Sequence, residues 1–296
     1  MPPTSVRFEP SHSQRERLRF VESTLLWEGG IQRSRVSAVF GVVLNHVTKD
    51  LREYEAAFPQ SLTFEPRRRF YIPGPAFKPR FASGDPQEYL ALQLASSQIK
   101  SSALVSLVGD QLPVQGLPTP AYNVERQSLS LVVQAIRSAT ALEVVYYSMT
   151  TPEPVKRRIW PHALFHTGLW WYLRAFDSRS EEFRNFSLQR IDQPKALTAP
   201  SPQLSSQDRQ WHKESVLEVI PHTALNDHQK KVVAQDFGMT SDDGQPLWRV
   251  KIRNCLVGYF ATYYGLDLPD ARPPRHVLTL RNRDELKPLF LPPNHE

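Results

Sequence analysis

From Ser13 onward the chain repeats apolar residues at helical spacing: Leu18, Val21 and Leu25 fall at i, i+3 and i+7, with Arg15, Arg17 and Arg19 off that stripe. Gly29-Gly30 stops this helix. Residues 31–40 (IQRSRVSAVF) predict a short second helix with Ile31, Val36, Val39 and Phe40 as its apolar positions, and Gly41 supplies the turn after it. A third helix is predicted from about Val43 to Phe58. Leu44, Val47, Leu51, Tyr54 and Phe58 would face a core, and Asn45, His46, Lys49 and Arg52 lie opposite. Pro59 ends it. Two β-like runs, Leu62-Thr63-Phe64 and Phe70-Tyr71-Ile72, then bracket Glu65-Pro66-Arg67-Arg68-Arg69, a hairpin with three arginines near its tip.

Residues 73–120 read as a connector: four prolines, a helical stretch from Gln87 to about Ser106 without a tight apolar period, and an extended DQLPVQGLPTP. A helix over Gln127–Ser138, with Leu129, Val132, Val133 and Ile136 on one side, opens the middle of the chain. Strands are predicted over 141–149, Lys156–Trp160, Ala163–His166, Leu169–Phe176 and Glu182–Ile191, a spacing that suits a small antiparallel barrel. Strand alternation places Trp170, Tyr172, Arg174 and Phe176 on one face. A charge among aromatic rings is costly unless paired, so Arg174 either meets a carboxylate inside the protein or waits for an anionic ligand. PKALTAPSPQLSSQ (194–207) reads as a linker. Beyond it come strands near Ser215–Ile220, Pro246–Ile252 and His276–Leu280, and helices near Thr223–Phe237 and Arg253–Tyr264. Tyr259, Phe260, Tyr263 and Tyr264 form an aromatic stripe at helical spacing, by default core and alternatively a dimer contact. The fold class is α+β, with several domains.

Charge changes the picture for the first part of the chain. Residues 1–80 hold 13 Lys/Arg and 8 Asp/Glu, so five of the net +6 charges of the 296-residue chain sit there. Such a field suits a polyanion partner, although a solvated basic face is the plain alternative. Two helices joined across a glycine, the second polar outward, and then an arginine-tipped hairpin, form the pattern of a winged helix-turn-helix. The residues expected to meet double-stranded DNA are Arg33, Ser34, Arg35, Asn45, His46, Lys49, Arg67, Arg68 and Arg69. The alternative is an ordinary three-helix bundle that the arginines merely solubilise.

The remaining composition mostly excludes. Cys255 is the single cysteine, which rules out an internal disulfide framework and cysteine-rich metal sites. His222 and His228 lack a third ligand at metal spacing, and Walker, G-x-G-x-x-G, H-E-x-x-H and G-x-S-x-G motifs are missing. No enzyme, metal or cofactor is called for. The opening MPPTSVRFEP has no basic region leading into an apolar stretch, and nowhere do about 18 apolar residues run together, so a cytoplasmic chain without a membrane partner is expected.

Trp171-Tyr172-Leu173 spells the signature of the WYL-domain transcriptional regulators. Tyr147-Ser148-Met149-Thr150, Pro161-His162-Ala163-Leu164, Arg174-Ala175-Phe176, Phe183-Arg184-Asn185-Phe186 and Arg190-Ile191 match that family too. Across nearly its whole length the chain resembles the BrxR/CapW group of WYL repressors. The resemblance implies a winged helix-turn-helix over 1–80, a helical connector and linker over 81–120, an Sm-like WYL β-barrel over 121–200 and a WCX-like dimerisation domain over 201–296. It further implies a nucleic acid or nucleotide effector, held by the residues matching Tyr146, Ser148, His162, Arg174, Phe183, Arg184 and Arg190. The function so implied is a homodimeric repressor on an inverted-repeat operator, released by its effector and controlling a phage-defence operon. A ligand-dependent activator on the same scaffold, or a nucleic-acid-processing accessory factor, stands as the rival.

Overall fold

Ser11 opens helix α1 (His12–Glu28), its side chain accepting a hydrogen bond from the Gln14 backbone N–H, and Gly29 closes it in the left-handed conformation. These atoms belong to a computed structural model that describes residues 8–98, 112–118, 120, 124–268 and 270–291. The chain divides into two units, Met1–Pro118 and Thr119–Glu296.

In the first unit α2 (Arg33–Phe40) ends at left-handed Gly41, and α3 (Leu44–Ala57) begins three residues later. Phe20, Val21, Leu25, Ile31, Val36, Val47 and Leu51 form the shared core. Leu44, expected in that core, is instead half exposed, because the first turn of α3 projects beyond the bundle. Strands β1 (Leu62–Glu65) and β2 (Phe70–Pro73) pair antiparallel, and a bridge between Ile31 and Tyr71 ties the hairpin to the segment just before α2. Gly30 permits this close approach: a Cβ there would run into the Phe70 ring and the Tyr71 carbonyl oxygen. Helix α4 (Pro86–Gln98) realises the described part of the connector helix, whose expected continuation to Ser106 lies outside the described residues.

Beneath this first unit's surface lies a buried carboxylate, Glu22. Its Oε1 accepts from the Tyr54 hydroxyl at 2.7 Å, and its Oε2 accepts the backbone N–H groups of Arg80, Phe81 and Ala82 at 2.8, 2.6 and 2.9 Å. Four donors thus satisfy one charge that water does not reach.

The second unit starts with α5 (Arg126–Ser138), which lays Val132 and Ala135 against a five-stranded antiparallel sheet. Its strands are β3 (Thr140–Tyr146), β4 (Val155–His166), β5 (Trp171–Asp177), β6 (Glu182–Ser187) and β7 (Ile191–Pro200), in the order β6-β5-β4-β3-β7. The first strand therefore pairs with both the second and the last. Register shifts at Pro161/Ala163 and within the β3–β7 ladder bend the sheet. Two expectations are corrected here. The runs Lys156–Trp160 and Ala163–His166 form one bent strand, since the shift at Pro161 kinks the ladder without ending it. Most of the expected linker 194–207 is strand β7 and a short 3-10 turn; β7 lies at the sheet edge, where a proline forfeits no ladder donor on its outer side.

After α6 (Arg209–His212) come β8 (Glu214–Pro221), α7 (Asp227–Asp236), β9 (Thr240–Asp242), β10 (Gln245–Arg253), α8 (Asn254–Tyr263), β11 (Leu278–Leu280) and α9 (Arg283–Leu286). The strands form a sheet in the order β11-β8-β10-β9, cored by Leu217, Val219, Val257 and Ala261. Asp243 and Gly244, both at positive φ, make the two-residue turn between β9 and β10.

Candidate nucleic-acid interface and arginine site

The orientation of α3 is fixed by polar ties to α1. Arg17 pairs with Asp50 through two hydrogen bonds of 2.6 and 3.2 Å, and the Gln14 amide donates to Glu53 at 2.7 Å. Tyr54 adds its bond to Glu22. On the far side of α3, Asn45, His46, Lys49 and Arg52 reach toward solvent. A braced helix with an amide, an imidazole and two cations facing outward is suited to a major groove.

The hairpin presents Arg67, Arg68 and Arg69 to solvent, with Arg69 at φ 50° rounding the tip. The Arg68 guanidinium lies 4.8 Å above the Phe70 ring and 3.5 Å from Glu65. Of the α2 residues expected to assist, Ser34 is exposed and Arg33 donates to Thr48 Oγ1 at 2.8 Å. Arg35 corrects the expectation: both its terminal nitrogens bond Glu28, at 2.6 and 2.9 Å, and its guanidinium sits over Phe20. Its fork braces α2 against the end of α1 and is not presented outward.

In the second unit, β5 shows the predicted alternation. Leu173 and Ala175 enter the core beneath α5, while Tyr172, Arg174 and Phe176 take the opposite face. Arg174 is 4% exposed and meets an internal carboxylate. Its Nε and Nη2 donate to Asp208 Oδ2 and Oδ1 at 2.7 and 2.8 Å, and its Nη1 donates to Asn185 Oδ1 at 3.0 Å. Asp208 also contacts His162 Nε2 at 2.9 Å and accepts the Trp211 N–H as the cap of α6. Burial alone would raise the Asp208 pKa; hydrogen bonds from Arg174 and His162 overcome it and hold the carboxyl well below the usual carboxylate range.

Aromatic rings close this site. His162 meets Phe183 and Trp211 edge-on, each at 5.6 Å, and Phe165 stacks on Tyr172 at 5.3 Å. Tyr259 from α8 packs on Phe165 and Tyr172, and its hydroxyl accepts from Asn185 at 3.4 Å. Of the aromatic stripe along α8 and its C-cap, Phe260 and Tyr264 pack against the C-terminal core, Tyr263 is 62% exposed and Tyr259 joins the five-stranded sheet. Cys255 stands nearby, its thiol pushed up to about 11 by burial.

The expected effector set is therefore divided. His162, Arg174 and Phe183 share one face of the sheet. Arg190 lies at the end of β3, where the Tyr147 N–H bonds its carbonyl, and Ser148 follows Tyr147 with its hydroxyl bonded to Thr150. Arg184 is exposed on the other face of β6, 3.8 Å from Glu182, because strand residues alternate and its neighbours Phe183 and Asn185 face Arg174. Tyr146 is a core residue: it is 8% exposed, stands edge-on to Phe186 and accepts the Ser187 N–H. Sequence reasoning missed Asp208, Trp211 and Tyr259, which lie far along the chain from the WYL tripeptide and complete its site. Among the described residues no group of three or more His, Cys, Asp or Glu is placed to hold a metal ion.

Comparison with known proteins covers all three regions. Residues 13–95 match the winged helix-turn-helix domain of the BrxR transcriptional regulator, residues 127–196 the WYL domain, and residues 215–286 the BrxR C-terminal dimerization domain. The DNA-binding transcriptional repressor CapW of Pseudomonas aeruginosa is 31% identical over 279 residues, covering 94% of this chain and 92% of its own. CapW of Stenotrophomonas maltophilia is 29% identical over 279 residues, 93% of this chain and 91% of that one. Among solved structures, the proteasome accessory factor PafBC of Arthrobacter aurescens aligns with 97% of this chain at 15% identity and a TM-score of 0.28. The present chain spans about half the length of that protein, 49%.

Proposed function

Since the chain belongs to the BrxR/CapW family of WYL-domain transcriptional regulators, we propose that it is a homodimeric repressor of a phage-defence operon, released from an inverted-repeat operator by a nucleic acid or nucleotide effector. The observation that carries this reading is the braced α3, with Asn45, His46 and Lys49 turned outward, together with a hairpin whose tip presents Arg67, Arg68 and Arg69 to solvent. Asn45 and His46 supply contacts to base edges, and Lys49 and the hairpin arginines supply contacts to phosphates. A dimerisation domain supports two-fold symmetry, and with it two half-sites separated by about one helical turn or a multiple of it. The divisions near residues 80, 120 and 200 belong to the same proposal.

The test is a gel shift on the DNA upstream of its own gene. Lys49→Ala combined with Arg68→Ala should abolish the shift while circular dichroism stays native; unchanged binding would refute the interface. Deleting the gene should raise expression of a reporter on that promoter, whereas a fall would favour an activator.

For the effector, Arg174 is committed to Asp208, so Arg190 at the end of β3 is the guanidinium this reading gives first to a phosphate. Arg190→Gln should weaken binding of short labelled single strands in fluorescence anisotropy and leave operator binding intact.

A further inference from the structure

The first turn of α3 breaks two local rules at once. Its N-cap is Val43, whose side chain caps nothing, and its first helical residue is Leu44. Ser, Thr, Asp and Asn are the residues that satisfy the free N–H groups of such a turn, as Ser11 does for α1. Both aliphatic side chains also stand in solvent, Val43 being 63% and Leu44 49% exposed. Asn45 and His46 are exposed as well, and burial begins only at Val47. The head's core does not use the pair: Val36, Val47 and Leu51 fill it.

Residues 43–46 thus form a projecting tip of two branched aliphatics, an amide and an imidazole. Folding alone would favour a polar cap and a polar first residue here. Departures from local rules without a structural gain mark functional positions. The tip is also the part of a helix-turn-helix that reaches base edges. The major groove displays one apolar group, the thymine methyl, and adenine offers the donor–acceptor edge that an asparagine amide matches with two bonds.

We propose that Val43 and Leu44 read thymine methyl groups and that Asn45 reads an adjacent adenine, so that A·T pairs occupy the part of each half-site under the tip of α3. This specificity assignment rests on the DNA-binding reading above. Lys49 and the hairpin arginines hold the phosphates without regard to sequence.

The full-length protein would be used to select duplexes from a randomised library, and affinities then measured on the selected duplex with single thymines replaced by deoxyuridine, which lacks only the methyl. At two positions the replacement should weaken binding about fourfold, the worth of one buried methyl group. Val43→Ser and Leu44→Gln should each lose sensitivity at one of those positions. Val43→Ser restores a good cap, so thermal melting at or above the wild-type temperature would show that lost sensitivity does not reflect a damaged helix. Tight binding with no uracil-sensitive position, or selected half-sites with G·C pairs under the tip, would overturn the assignment while leaving DNA binding intact. Failure to select any duplex at low salt would overturn both.

Discussion

Asp208 is the residue on which the polar groups of the buried arginine site converge. One carboxylate pairs with Arg174, contacts His162 and caps α6. Removing one partner of a buried pair leaves a charge stranded at a cost of about 3–5 kcal/mol, whereas replacing both by apolar groups is often close to neutral. Asp208→Ala should therefore lose about that much stability in urea unfolding, and adding Arg174→Met to Asp208→Leu should restore most of it. The sign of the pH effect comes from the lowered carboxyl. The pair stabilises the fold fully above the unfolded-state value near 3.8, and the contribution disappears as pH falls below it toward the folded value. Acid unfolding of Asp208→Asn, monitored by tryptophan fluorescence, should be shallower than wild type over that range. The alternation around Arg174 was readable from sequence and posed the right two alternatives. Its partner was not readable, because Asp208 lies 34 residues further on and no local pattern joins them.

Among the elements, those with a strong period were legible. The three N-terminal helices, the hairpin, α5 and most strands of both sheets stand where apolar spacing, glycine and proline place them. Failures came where tertiary pairing overrode local composition. Pro194 and Pro200 disguised an edge strand as a linker, and Pro161 split one bent strand into two. The β9–β10 hairpin was passed over although Asp243-Gly244 is a turn signal in its own right. Leu44 fits the heptad-like spacing of α3, yet the bundle ends before it. The hairpin depends on a missing side chain. Gly30→Ala should force Phe70 and Tyr71 away from Ile31, lowering the melting temperature of the protein and weakening DNA binding by misplacing the arginine tip.

For the molecule as a whole, charge is segregated along the chain, with five of six surplus positive charges in residues 1–80. If the hairpin arginines meet phosphates, replacing all three by alanine should flatten the dependence of log affinity on log salt by about 0.9 per lost contact, across operator and random DNA alike. Titration of binding against potassium chloride measures it. Glu22 ties the same head to the segment that leaves it after the hairpin. Because a single oxygen of that carboxylate grips three successive amides there, while the other holds Tyr54 in α3, the stem leaving the head is stiff at its root. If α3 is the helix that reads DNA, a twist applied at residues 80–82 would reach it as a tiller moves a rudder, without slack chain between. Glu22→Gln, which presents an amide to those same donors, should speed hydrogen exchange at Arg80, Phe81 and Ala82 well before it melts the helices, loosening the tiller while the head stays folded.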